Sequence, residues 1–203
     1  MTDSRPTTHQ DTRERILATG EQLILGRGFS AIGLSEILSA AEVPKGSFYH
    51  YFQSKEGFGV AMLERYFDTY LARCAKLFAL HEPPIQQRLL SYFDGWRQVA
   101  NDSACQNMCL AVKLAAEVSD LSELMRQALN LGMQRIMDQI ADALRLAQAE
   151  GALSTTVDAQ ELAESLYGMW VGASLLTKVQ RDIRPLNLAY RQTQALLCNE
   201  CAS

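Results

Sequence analysis

Apolar residues recur along almost the whole chain at intervals of three or four positions. The segment that carries Ile85, Leu89, Phe93, Trp96 and Ala100 shows the pattern most clearly, with intervals of four, four, three and four residues. A period near 3.6 residues places these side chains on one face of an α-helix. No segment alternates apolar and polar residues as a half-buried strand would. The pattern predicts an all-α protein with about nine helices.

Capping and breaking residues divide this pattern into separate helices. Acidic residues followed three positions later by Glu predict helix starts at Asp11, Asp120 and Asp158, and Ser54 is expected to cap a fourth, longer helix. Gly28 is predicted to end the first helix because glycine favours the left-handed conformation at helix ends. Pro185 suits the first turn of the last helix, where its missing N–H costs nothing.

Composition and chain ends then narrow the class of protein. The chain has 203 residues, of which 48% are hydrophobic and 21% charged, as in ordinary globular proteins. No apolar run is long enough for a membrane span, and the polar N-terminus does not resemble a signal peptide. Five cysteines, an odd number without an export signal, favour reduced thiols over disulfides. We therefore expect a cytoplasmic protein that has no membrane partner.

One local segment departs from the acidic character of the whole chain. The net charge is −4, yet residues 43–58, VPKGSFYHYFQSKEGF, contain Lys45, Lys55 and His50 with a single acid, Glu56. A protein that is acidic in bulk can bind nucleic acid only through a local cationic surface. The segment is therefore the candidate for such a surface.

The spacing around this segment predicts a helix-turn-helix motif. Two short helices are expected at about 34–41 and 44–51, with Pro44 in the first turn of the second and a tight turn between them. The second helix of such a motif enters the DNA major groove. The candidate DNA-contacting residues are Lys45, Gly46, Ser47, Tyr49 and His50 of this helix, and Lys55, which follows it. Phe48, Tyr51 and Phe52 are expected to face inward. The alternative is a small packed core with solvated lysines.

The motif resembles the signature of the TetR family of one-component bacterial regulators, V-x-x-G-x-x-Y-x-Y-F-x-x-K. The matching residues are Val43, Gly46, Tyr49, Tyr51, Phe52 and Lys55. The polar residues 1–10 are expected to form a flexible tail. The resemblance implies a three-helix DNA-binding domain at 11–57 with its recognition motif at about 33–52, and a helical ligand-sensing and dimerisation domain at 58–203. It also implies a homodimeric repressor of a palindromic double-stranded operator. Gly33 stands where the family commonly has Thr or Ser, and the resemblance leaves Ser35 as the possible substitute for that hydroxyl contact to phosphate.

The helix from about Ala159 to Val179 is apolar on nearly every side and must be covered all round. From periodicity alone, the centre of a monomeric bundle and a subunit interface are equally good explanations. The resemblance favours the interface, because the family dimerises through its last two helices. The candidate interface residues are Leu162, Leu166, Gly168, Met169, Gly172 and Leu176.

Cys109 is the candidate sensor of the C-terminal domain. Lys113 follows four residues later on the same helical face, and Lys178 lies near the end of the apolar helix. A nearby ammonium group lowers the pKa of a thiol and makes it more reactive, although a buried cysteine is more often an inert apolar filler. The segments KGSFYHYF (45–52), FGVAMLER (58–65) and KLAAEVSDLSE (113–123), with the CL pair at Cys109 and a lysine at Lys178, resemble the electrophile-sensing subgroup of the family. That resemblance implies that an electrophile or oxidant modifies Cys109, with Lys178 or Lys113 tuning it and Cys105 as a candidate resolving thiol.

A reversible apolar ligand is the alternative inducer. Large apolar residues could line a cavity for an aromatic or unsaturated small molecule, although such residues are more often ordinary core. They are Phe67, Tyr70, Phe93, Trp96, Met125, Met133, Tyr167 and Trp170.

An enzyme that uses a cysteine nucleophile is a further alternative. The sequence offers no third catalytic group, no glycine-rich phosphate loop and no metal-ligand motif. We therefore expect that the protein is not an enzyme and that it binds no cofactor and no metal. Cys198 and Cys201 form a C-x-x-C at the chain end, which without a second ligand pair is best explained as a frayed tail.

Overall fold

The computed structural model describes residues 8–102 and 110–197, and these residues form nine α-helices without a strand. The helices are α1 (Thr8–Arg27), α2 (Leu34–Ala40), α3 (Lys45–Phe52), α4 (Lys55–Phe78), α5 (Ile85–Asp102), α6 (Leu110–Val118), α7 (Glu123–Ala149), α8 (Ala159–Gln180) and α9 (Arg184–Leu197). The all-α prediction and the expected number of helices are confirmed for this part of the chain. Within it, no helix has the length and apolar content that a bilayer crossing requires.

Several predicted helix ends are confirmed by their hydrogen bonds. The Asp158 carboxylate accepts from the backbone N–H groups of Gln160 and Glu161, at 2.8 and 2.9 Å, and so caps α8. Ser54 Oγ accepts from the Gly57 N–H at 2.9 Å, in front of α4. Gly28 follows the last residue of α1 with a φ of +96°, a conformation that favours glycine.

Three predicted starts are wrong. α1 begins at Thr8, three residues before Asp11, so Asp11 lies inside the helix and is not its cap. Asp120 does not cap α7, because that helix starts at Glu123 and Ser122 Oγ accepts from the Met125 N–H at 3.1 Å. Pro44 is the N-cap of α3 and not its first helical residue, since its ψ of 150° is extended.

The described residues form two compact units. The first contains residues 8–66 and 113–130, and the second contains residues 67–102, 110–112 and 131–197. The two units are distinguished by their packing and not by DNA binding. The boundary of a DNA-binding domain at residue 57 therefore stays a prediction.

The core of the first unit is built around aromatic rings of α3 and α4. The ring centroids of Phe48, Phe52 and Phe58 lie 5.1 to 5.7 Å apart, and all three side chains are buried. A Cβ atom at Gly20 of α1 would come within 2.3 Å of the Phe58 ring. α1 therefore needs a glycine at this point, because any side chain would push α4 away.

In the second unit, aromatic residues of α5 and α8 form the centre of the core. The Phe93 and Trp170 rings stack at 5.2 Å with an angle of 22° between them, and both are fully buried. Trp170 Nε1 donates a hydrogen bond to Thr193 Oγ1 of α9 at 2.9 Å. The indole thereby holds three helices together and also satisfies its only polar group.

Candidate nucleic-acid interface

Helices α2 and α3 form a tight helix-turn-helix. α2 ends in a turn in which Glu42 has a φ of +53° and the Val43 N–H donates to the Leu38 carbonyl at 3.1 Å. Ile37 and Leu38 of α2 and Phe48 of α3 are buried, so apolar contacts fix both helices in the first unit. The opposite face of α3 remains available for a partner.

This outer face of α3 presents the side chains that the sequence predicted. Lys45, Gly46 and His50 are exposed, Ser47 is half-buried, and 46% of the Tyr49 surface is accessible. The Lys45 ammonium lies 5.8 Å from the centre of the Tyr49 ring. A short helix with a cation, two polar rings and small residues on one face can donate hydrogen bonds to phosphates and reach base edges.

The inner face of α3 agrees with the prediction only in part. Phe48 and Phe52 are buried, whereas Tyr51 is half-buried. The ring centroids of Tyr51 and His50 lie 4.9 Å apart in an edge-on arrangement. Tyr51 lies with Gly46, Ser47 and His50 along one surface groove. Tyr51 thus belongs to the border of the exposed face as well as to the core.

The two flanking candidates differ in their surroundings. Ser35 is exposed in the first turn of α2. Lys55 Nζ donates to the Phe29 carbonyl at 2.8 Å and lies 4.6 Å from the centre of the Phe29 ring. Burial lowers the pKa of Lys55, and the nearby Glu117 carboxylate opposes this shift. A phosphate contact by Lys55 stays a prediction, because its ammonium already holds the α1–α2 turn.

Two residues make contacts with the end of α1 that the sequence does not predict. Glu117 of α6 accepts hydrogen bonds from the Phe29 and Ser30 N–H groups at 3.1 and 2.6 Å. Lys113 of the same helix donates to the Leu25 carbonyl of α1, and its role in tuning a thiol stays a prediction. These contacts join residues 87 and 88 positions apart, which no local pattern reveals.

The ionisation of Glu117 reflects these contacts. Desolvation by burial works to raise its pKa, but the hydrogen bonds from Ser30 and Phe29 and the charge of Lys113 outweigh that cost. The pKa of Glu117 is therefore lowered. At neutral pH the carboxylate is ionised and can accept both N–H groups.

The sensor candidates are only partly within the described structure. Cys109 and Cys105 lie outside the described residues, and so do Cys198 and Cys201. Lys178 is exposed in the last turn of α8. The described part of the chain contains one cysteine, Cys74, and burial raises the pKa of its thiol to about 11. Cys74 is therefore an unreactive thiol at neutral pH.

The aromatic pocket candidates pack against one another in the second unit. Tyr70 Oη accepts from Trp96 Nε1 at 3.2 Å and donates to Tyr92 Oη at 2.8 Å. The Trp96 ring lies 6.1 Å from both Tyr167 and Trp170. Other candidates lie beside glycines: a Cβ at Gly132 would meet Phe67, and one at Gly59 would meet Met125, which belongs to the first unit. A ligand cavity lined by these residues stays a prediction.

The interface candidates on α8 divide into covered and open residues. Leu162 and Leu166 are buried inside the single chain, and Met169 is half-buried. Leu176 is 49% exposed, and its neighbours Leu175 and Val179 are 51% and 72% exposed. At Gly168 and Gly172 no atom lies within 4 Å of where a Cβ would be. One stripe of α8 is thus apolar and exposed to solvent, and its two glycines leave it without protruding side chains at those positions.

In the part of the chain that the structure describes, no group of three or more His, Cys, Asp or Glu side chains could hold a metal ion. The described site consists of hydrogen-bond donors, cations and rings, and these groups suit an anionic polymer.

Comparisons with known proteins find related sequences for both the N-terminal and the C-terminal part of the chain. Residues 16–62 match the family described as bacterial regulatory proteins, tetR family, and residues 86–193 match the tetracyclin repressor-like C-terminal domain. The chain is 44% identical over 194 residues to the HTH-type transcriptional repressor NemR of Escherichia coli (strain K12), covering 94% of this chain and 96% of that protein. It is 35% identical over 181 residues to the transcriptional regulator AcuR of Cereibacter sphaeroides, covering 86% and 80%. The crystal structure of the reduced form of E. coli NemR has a TM-score of 0.83 at 45% identity, covering 92% of this chain and 97% of that one.

Proposed function

Because the chain belongs to the TetR family of bacterial transcriptional regulators, we propose that it is a repressor that binds double-stranded operator DNA through α2 and α3. The observation that carries this proposal is the outer face of α3, where Lys45, Tyr49 and His50 are exposed while Phe48 and Phe52 anchor the helix. Relatives over most of the chain are regulators of transcription and not enzymes.

The DNA contact is tested by the variant Lys45→Ala with Tyr49→Ala. Both side chains are exposed, so folding should be unaffected, while affinity for the selected operator should fall by roughly 1–3 kcal/mol. The salt dependence of binding should also weaken by about one phosphate contact. The matched control is Lys76→Ala, an exposed lysine in the last turn of α4. Wild-type affinity and salt slope in the double variant would refute this surface.

A homodimer is the form in which two such helices read a palindrome. The open stripe of α8 supports this assembly, since Gly168 and Gly172 allow close approach and Leu175, Leu176 and Val179 expose apolar surface. Two recognition helices would then lie about 34–36 Å apart, one turn of DNA. Sedimentation should show a dimer that Leu176→Glu dissociates. A stable wild-type monomer at micromolar concentration would exclude this assembly.

We further propose that a reactive electrophile releases the operator by modifying Cys109. The thiolate sulfur would form a bond to one carbon of an electron-poor double bond, and the adjacent carbon would take a proton from water, without a leaving group. An organic hydroperoxide would instead oxidise the thiolate to a sulfenic acid and be reduced to an alkoxide. Since Lys113 donates to the Leu25 carbonyl, Lys178 is the preferred candidate for tuning the thiol.

The sensor is tested with N-ethylmaleimide as the probe. Wild-type protein should lose operator affinity after treatment, whereas Cys109→Ser should bind DNA normally and resist the reagent. Cys74→Ser is the matched control, because its buried thiol has a pKa of about 11 and should not react. Full induction of Cys109→Ser by natural inducers would favour the second candidate, a reversible apolar ligand held among rings such as Tyr70, Trp96 and Tyr167.

A further inference from the structure

The last turn of α1 is completed by side chains from another helix. The Gly28 N–H donates to the Ile24 carbonyl at 2.7 Å, as in a continuing helix. The next bond in that series would run from the Phe29 N–H to the Leu25 carbonyl. Instead, the Phe29 N–H donates to the Glu117 carboxylate and the Leu25 carbonyl accepts from Lys113. Two side chains of α6 thus take the place of one backbone hydrogen bond.

The charges of these two residues suit their positions. Lys113 is a cation at the C-terminal end of α1, where the helix dipole and the orphan carbonyls favour positive charge. Glu117 is an anion that accepts two consecutive N–H groups, those of Phe29 and Ser30. Both contacts are charge-assisted, and such hydrogen bonds are the stronger kind. We call Lys113 and Glu117 the α6 cap.

The turn that the α6 cap holds leads directly into the helix-turn-helix. α2 begins at Leu34, four residues after Ser30, and its N-cap, Gly33, makes no side-chain capping bond. Lys55 of α4 holds the same turn through the Phe29 carbonyl. The direction in which the chain enters α2 therefore depends on contacts supplied by α6 and α4.

The other end of α6 lies next to the candidate sensor in the sequence. Leu110, the first residue of α6, directly follows Cys109. α6 has nine residues, and its first three belong to the second unit while Lys113 and Glu117 belong to the first. A change at the start of this short helix would reach the α6 cap within one or two turns.

We propose that Lys113 and Glu117 are positioning residues that make operator binding depend on the placement of α6. With the cap formed, the α1–α2 turn is held and α2 and α3 keep the arrangement that binds DNA. Displacement of α6 withdraws the carboxylate and the ammonium together, and the turn loses three hydrogen bonds. This inference rests on the proposed repressor function and adds the contacts through which its sensor acts.

Amide hydrogen exchange measures the cap without reference to DNA. In Glu117→Gln the replaced oxygen becomes an NH₂ group that faces an N–H donor, so one hydrogen bond is lost. The Phe29 and Ser30 amides should then exchange faster, on the order of tenfold. Glu123→Gln is the matched control: it makes the same charge change on an exposed residue of the first unit that pairs with Arg126. Unchanged exchange of both amides in Glu117→Gln would show that the cap does not protect the turn.

Operator binding shows whether the cap transmits a signal. The probe is the DNA duplex that wild-type protein enriches from a random pool, and the inducing reagent is N-ethylmaleimide. Glu117→Gln should bind this duplex on the order of tenfold more weakly before treatment. It should also show a smaller ratio between treated and untreated affinity, because its cap is already released. A merely structural role would lower the melting temperature and leave this ratio at the wild-type value, and that result would overturn the proposal.

A second pair of variants keeps the test decisive if Glu117→Gln folds poorly. Lys113→Met removes the ammonium while keeping an unbranched side chain, and should reduce the ratio in the same way. Lys113→Arg retains a cation that can donate to the Leu25 carbonyl, and should restore it. Failure of Lys113→Arg to restore the ratio would contradict a capping role. If wild-type protein enriches no duplex, the repressor function fails, whereas the exchange experiment still judges the cap.

Discussion

Each of the two units is stabilised internally by a different balance of contacts. In the first unit, charged side chains link helices around the buried rings of Phe48, Phe52 and Phe58: Arg65 of α4 contacts Glu14 and Glu21 of α1, and Glu117 of α6 holds the turn that follows α1. In the second unit, stacked and edge-on rings such as Phe93 and Trp170 join α5, α8 and α9. Partly exposed polar contacts are individually weak, whereas buried rings contribute several kcal/mol each. Both units contain buried rings, so the contrast lies in the partly exposed charged contacts that join α1 to α4 and α6 in the first unit and that can change at lower cost than buried rings.

The largest effect should come from breaking the aromatic core. Trp170→Ala removes a fully buried indole from between Phe93 and Thr193, and should lower the free energy of unfolding by about 3–5 kcal/mol. Thr193→Val, which removes the acceptor of the indole N–H and the bond that the same hydroxyl donates to the Ala189 carbonyl, should cost about 1–3 kcal/mol. Denaturant unfolding followed by circular dichroism measures both. A Trp170→Ala cost no larger than that of Thr193→Val would mean that the rings contribute little beyond their hydrogen bond.

Breaking a charged contact in the first unit should cost less. Arg65→Met removes the contacts with Glu14 and Glu21 but keeps the aliphatic stem, and should destabilise by about 1 kcal/mol because the pairs are partly exposed. The pair between Arg145 and Asp142 is exposed, so Arg145→Met should change the free energy of unfolding by no more than about 0.5 kcal/mol. The comparison between the units fails if Arg65→Met is as costly as Trp170→Ala.

The start of α2 offers a way to strengthen the first unit. Gly33 is an extended N-cap without a side-chain bond, and no atom lies within 4 Å of where a Cβ would be. Gly33→Ser should therefore supply an acceptor for the first-turn N–H groups, whereas Gly33→Ala should not. The serine variant should be more stable than the alanine variant by about 1 kcal/mol in thermal unfolding. Equal stability would show that this cap position does not limit α2.

The smallest effect should be a pH dependence at Glu117. Because its pKa is lowered in the folded protein, its contribution to stability is present above the pKa of the unfolded chain, near ~4.3. That contribution is lost as the pH falls through the lower folded pKa. The stability difference between wild type and Glu117→Gln should thus be full at pH 6–7 and shrink below about pH 4. A difference that stays constant down to pH 3 would contradict an ionised carboxylate in the cap.

The sequence predicted local features better than distant ones. The inward placement of Phe48 and Phe52 on α3 and the cap at Asp158 were predicted from nearby residues, whereas Tyr51, which was also predicted to face inward, is half-buried. Asp120 was wrongly chosen because Ser122, two positions later, offers an equally good acceptor directly before the helix. The contacts of Glu117 with Phe29 and Ser30 depend on how α1 and α6 pack together, and no spacing along the chain encodes that arrangement.

The most direct test of the account is to sequence the DNA that purified protein retains from a pool of random duplexes, with and without N-ethylmaleimide. We expect one enriched palindrome whose half-sites are centred about one helical turn apart, and we expect the reagent to abolish its retention. Cys109→Ser should retain the same palindrome under both conditions. Absence of an enriched palindrome would contradict the repressor function, and retention by treated wild-type protein would contradict the cysteine switch.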